Sequence, residues 1–142
     1  MKDKLNRLCI AVLTGLLLLM SGPANAKDSF DGSSNLLCAA FEVMACLDGN
    51  TCRRGEARTF DLPDFMTVDF KNKVIHATHD GGTKEANSPI KNYEESGTQL
   101  VLQGTENGHG WTMAIHRDNG RMSLAAVGEE LSFSIFGACK AL

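Results

Sequence analysis

Trp111-Thr-Met-Ala-Ile-His-Arg117, Asp118-Asn119-Gly120 and Arg121-Met-Ser-Leu-Ala-Ala-Val127 read as strand, turn and strand. In the first run Trp111, Met113 and Ile115 fall on one side of a period-2 pattern, with Thr112, Ala114 and His116 on the other. In the second, Met122, Leu124 and Ala126 share a side. Between them, Asn119-Gly120 supplies residues that tolerate the positive φ of a tight hairpin turn. The same alternation extends outward. Downstream, Gly128-Glu129-Glu130 turns the chain into Leu131, Phe133 and Ile135, and Cys139 keeps that parity. Upstream, Leu100 and Leu102 face one way in a strand that begins after Ser96-Gly97. Met66, Val68 and Phe70 do so in another, and Lys71-Asn72-Lys73 turns into a strand at Val74 to Thr78. Asp80 to Thr83 opens a flexible connection, and Pro89 to Glu94 reads as a weak edge strand.

Leu36 to Leu47 is apolar at both parities, so a buried strand and a short helix ended by Gly49 both fit. The strand reading groups Leu37, Ala39, Phe41, Val43, Ala45 and Leu47 on one face. With it, the pattern predicts an all-β, antiparallel up-and-down meander of about eight strands, forming a small barrel or strongly curved sheet across one domain, 36–142.

The first 26 residues carry the parts of a cleavable secretory signal: Lys2, Lys4 and Arg7, an apolar run from Leu8 to Met20, and Ala24-Asn25-Ala26 before the cleavage point. That run is too short for the roughly 20 residues of a membrane-crossing helix. Lys27 takes the first mature position, where a lipoprotein would have cysteine. The expected product is a periplasmic or secreted protein without a membrane anchor, starting with a flexible leader at 27–35. Cleavage leaves 11 basic residues against 16 acidic ones, a formal charge of −5. Nucleic acid is excluded as a partner, because phosphate binding needs a basic stripe.

Four cysteines remain in an oxidising compartment. They permit three pairings. Cys46 and Cys52 flank a turn-rich stretch and invite a local loop, which leaves Cys38 to meet Cys139 and staple the ends of the domain.

Two segments suggest chemistry. His76-Ala-Thr-His79-Asp80 has metal-ligand residue types, and His109 would extend the set to a metal-dependent hydrolase. Residues three apart in a strand face opposite ways, however, so His76 and His79 share an ion only where the strand ends between them. Gly104 to Trp111 reads as a loop in which glycines bracket His109 beside the only tryptophan, a candidate ligand-binding element at a barrel mouth. No nucleophile elbow, phosphate-binding glycine motif or cofactor fingerprint occurs, and no cofactor is expected.

Leu36-Leu37-Cys38, Leu62-Pro63-Asp64-Phe65, Val68-Asp69-Phe70, Gly110-Trp111 and the ending Phe136-Gly137-Ala138-Cys139 resemble a group of small secreted bacterial proteins to which no activity is attached. The resemblance implies a shared scaffold. A weaker likeness is to periplasmic C-type lysozyme inhibitors, disulfide-bearing β-barrels with a Ser-Gly-x-x-Tyr loop. It implies a binding role for Ser96 and Gly97, although Leu100 stands in place of the tyrosine. The leading reading is a non-enzymatic binding or interaction module that meets a protein or small ligand of the cell envelope. The metal-dependent hydrolase built on His76, His79, Asp80 and His109 is the alternative.

Overall fold

The computed structural model describes residues 29–79 and 84–142, with the side chains of residues 78, 79 and 84 excepted. The expected secretory signal, its expected cleavage point and Asp80 lie outside these residues. The chain forms β1 (Leu36–Leu47), β2 (Thr51–Gly55), a 3₁₀ turn (Ala57–Phe60), β3 (Phe65–Asp69), β4 (Val74–His79), β5 (Lys84–Ser96), β6 (Gln99–Glu106), β7 (His109–His116), β8 (Arg121–Val127) and β9 (Leu131–Ala141). From β3 onward each strand pairs antiparallel with the next, and β9 returns to β1. Eight strands thus close a barrel and leave no edge among themselves. No helix among the described residues is long and apolar enough to cross a membrane.

β1 is a strand rather than a helix because both its flanks are paired. One flank takes β9 along its whole length; the other takes β3 at Leu36–Ala39 and β2 at Val43–Leu47. A bulge between Ala40 and Glu42 shifts its parity. Leu36 and Cys38 face inward before the bulge, and Val43 and Ala45 after it. The single apolar face expected from the odd positions is therefore broken, and Leu37 and Phe41 are exposed.

The two disulfides are Cys38–Cys139 and Cys46–Cys52. Each joins residues directly opposite in register, across β1–β9 and β1–β2 respectively. The first is buried and the second lies at the exposed β1–β2 hairpin. Thiolate exchange needs access to the sulfurs, so a mild reductant should open Cys46–Cys52 before Cys38–Cys139. Alkylation of partly reduced native protein followed by peptide mass analysis checks this. Simultaneous opening of both bridges would contradict it.

Two turns depart from the pattern read in the sequence. The hairpin at 118–120 exists, but a wider turn closes it: Gly120 N–H donates to the His116 carbonyl, and only Gly120 has positive φ. The Asn-Gly pair that forms a tight two-residue turn is instead Asn107-Gly108, with φ of 47° and 81°. The supposed loop from Gly104 to Trp111 is thus mostly strand. β5 also begins earlier than expected and is not an edge. Pro89 is accommodated within it because pairing with β6 starts only at Ile90–Gly104, so its missing N–H lies outside that ladder.

Large side chains fill one half of the barrel, with Leu36, Val68, Leu100, Leu102, Met113 and Ile115 almost fully buried. Phe30 seals that end. It lies in the stretch read from the sequence as a loose leader, yet it is only 4% exposed and belongs to the core. Asn35 accepts a hydrogen bond from the Phe70 N–H, and Asp31 accepts one from Ser33 N–H. Hydrogen bonds from Ser33 and Ser29 hold the Asp31 carboxyl well below the ordinary carboxylate range.

The β3–β4 turn is organised by Asp69, which accepts from both the backbone N–H and the side-chain amide of Asn72. These bonds lower its pKa. A folded-state pKa below the unfolded one gives a contribution that is complete above the unfolded value and fades as pH falls through the folded value. Asp69→Asn should therefore lose less stability than the parent on acidification from pH 7 to pH 3. Urea midpoints measured at both pH values test this, and an equal loss in the two proteins would refute the assignment.

Candidate functional site

At the other end of the barrel the inward positions turn small. Ala77 on β4 faces Ala86 on β5, Ser88 lies beside Ile75, and Ala126 on β8 faces Trp111 on β7. Where three strands, β4, β5 and β8, contribute such short side chains, the wall cannot fill its own interior. The result is a cavity of about 390 Å³, within the usual size range of small-ligand pockets. Met66, Ile75, Leu124, Phe133 and Ile135 are among its apolar lining residues.

The segment after β2 forms one wall of this space. Its 3₁₀ turn ends at Asp61 in left-handed conformation, and Leu62 N–H returns to the Ala57 carbonyl. Ala57 is buried against Val43 and Ile135, and Phe60 and Leu62 pack on the same cluster. Leu62 and Pro63 are thereby brought to the cavity. Arg58 bridges to Asp64 at 2.9 Å across the segment.

Trp111 lies against the cavity and donates from Nε1 to Ser88 Oγ at 2.7 Å, both residues being buried. Its ring occupies the space above Gly104, where a Cβ would collide with the ring and with the Pro89 carbonyl. This combines the two roles weighed for Trp111: it is a core residue of β7 and also lines the pocket.

At the mouth, Glu106 and His109 are paired across the Asn107-Gly108 turn and both line the cavity, together with Asp61 and Asn107. The His109 ring rests over Gly128, where a Cβ would lie 2.6 Å from Cδ2 and Nε2. Its Nδ1 is 3.2 Å from the Asn107 carbonyl oxygen. Because a carbonyl only accepts, Nδ1 carries the hydrogen, and in the neutral ring Nε2 is then an acceptor.

The residues singled out in the sequence separate into three places. His109 and Trp111 share the cavity. Ser96 and Gly97 form the exposed β5–β6 turn at the opposite end, near Phe30, and Leu100 is fully buried in the core. His76 points outward from β4, with Nδ1 2.6 Å from Asn87 Oδ1. The barrel wall therefore stands between His76 and His109, and these two histidines do not share an ion. The His79 side chain and Asp80 lie outside the described residues. Among the described residues, no group of three or more His, Cys, Asp or Glu side chains is placed to hold a metal.

Compared with protein-family models, characterised proteins and solved structures, the chain matches none. Leu62 was missed in the sequence because only the 3₁₀ turn brings it to the cavity, and Ala77, Ala86 and Ser88 because small residues carry no chemical signal by themselves. Their signal appears only when inward parity and strand order are known together.

Proposed function

We propose that this protein is a non-enzymatic binding module that takes a small, largely apolar ligand in the cavity at one end of its barrel. The observation that carries this reading is the asymmetry of the interior. One half is packed solid and sealed by Phe30, whereas the other is walled by apolar side chains around an unfilled space next to a polar mouth. Apolar walls with a few convergent polar groups are the usual composition of ligand pockets. The two disulfides and the signal-like start of the chain support a working place in the periplasm or the medium, where thiols stay oxidised.

Trp111 is the only tryptophan, so its fluorescence reports directly on the cavity. Titration with 1-decanol below its solubility limit should change that emission saturably. Ala126→Phe, which places a ring in the cavity opposite Trp111, should weaken binding at least tenfold while near-ultraviolet circular dichroism shows the fold retained. A featureless titration of the parent protein, or equal affinity in the variant, would overturn the reading.

A further inference from the structure

We infer that the ligand of this cavity is a cationic amphiphile, with its apolar body inside the barrel and an ammonium-type head at the mouth formed by Asp61, Glu106 and His109. The inference rests on the reading of the cavity as a ligand site and adds the chemistry of the head group. The mouth carries two carboxylates, and no Lys or Arg lines the cavity among the described residues. His109 adds a further acceptor, because its Nδ1 hydrogen is directed to the Asn107 carbonyl and leaves Nε2 with a lone pair in the neutral ring. Among the described residues, the charged and imidazole groups that line the cavity therefore all favour a donor, and two of them favour a positive charge. An anionic head would instead meet the like charges of Asp61 and Glu106 at the mouth.

The interior supplies the complementary feature. Ser88 is 6% exposed and lines the cavity, and its Oγ accepts the Trp111 indole hydrogen. Its own hydroxyl hydrogen has no acceptor among the described hydrogen bonds and can donate to a ligand acceptor. The matching ligand is donor-bearing and cationic at one end and apolar along its body, and it tolerates a weak acceptor deep inside. Fatty carboxylates have the wrong sign at the mouth.

Three probes with the same tail separate these possibilities: n-decylammonium, decanoate and 1-decanol, each titrated below its micelle or solubility limit at pH 7 and read by Trp111 fluorescence. Decylammonium should bind at least tenfold more tightly than decanoate, with 1-decanol between them. In the Asp61→Asn/Glu106→Gln double variant the ratio of the two charged affinities should fall to within about threefold of unity. Raising the salt concentration should narrow the ratio in the parent protein. If 1-decanol binds but decanoate equals or exceeds decylammonium, the head-group inference fails and the cavity reading stands. If the preference survives in the double variant, its assignment to these carboxylates fails. If none of the three probes binds, the cavity reading fails and takes this inference with it.

Discussion

Replacing Cys38 and Cys139 together by alanine should cost about 4 kcal/mol of folding stability, shifting the urea midpoint by on the order of 2 M. The bridge joins positions 101 residues apart. In the chain-entropy account a cross-link that closes so long a loop removes many conformations from the unfolded chain. It also lies in the one pairing that closes the barrel, since β9 meets β1 with Cys139 opposite Cys38. Before that contact forms, every other barrel pairing can be made by successive neighbours along the chain. The β1–β9 pairing must instead recruit strands from the two ends of the domain, so it bears the largest loop-closure cost. Cys46–Cys52 spans only six residues and fastens β2 to β1. Its removal should cost about half as much. Equal losses for the two double variants would show that the bridges act through local packing rather than through closure.

Gly104→Ala should destabilise the barrel by about 3 kcal/mol and abolish ligand binding at the same time. A methyl group at this position runs into the Trp111 ring on one side and the Pro89 carbonyl on the other. The carbonyl belongs to β5 backbone next to the bulge and cannot withdraw without disturbing the Ile90–Gly104 pairing. The ring must therefore swing toward the remaining open space, which is the cavity. That movement breaks the Trp111–Ser88 hydrogen bond and leaves a buried hydroxyl without its donor. The expected readings are a lower thermal midpoint, a shifted Trp111 emission and loss of the 1-decanol response. A variant with parental stability and unchanged emission would show that the ring does not occupy this site.

Much of the architecture was legible residue by residue. From Met66 onward, the alternating sets Met66/Val68/Phe70, Leu100/Leu102, Trp111/Met113/Ile115 and Met122/Leu124/Ala126 do face the interior. The local bridge across the Asp48-Gly49 turn and the long bridge from Cys38 to Cys139 were both within reach of cysteine spacing. Errors arose where one residue of register mattered. The β1 bulge sends Phe41 outward and Val43 inward. Asn-Gly occurs at both 107–108 and 119–120, but only the first has two residues of positive φ. Nothing local distinguishes these alternatives; the pairing strands on either side select them.

The amino-acid sequence alone pointed to a disulfide-held antiparallel meander, a small barrel or a strongly curved sheet, because period-2 alternation and turn residues act over a few neighbours and need no partner to be recognised; closure by β1 against β9 is tertiary. Only the tertiary structure decided where the interior stays open. That depends on Ala77, Ala86, Ser88 and Ala126 arriving at the same end from three separate strands, on Leu62 and Pro63 reaching that end through the 3₁₀ turn, and on Phe30 filling the opposite one. A cavity is a property of volumes that meet across the sheet, and volumes far apart in the chain leave no periodic trace along it.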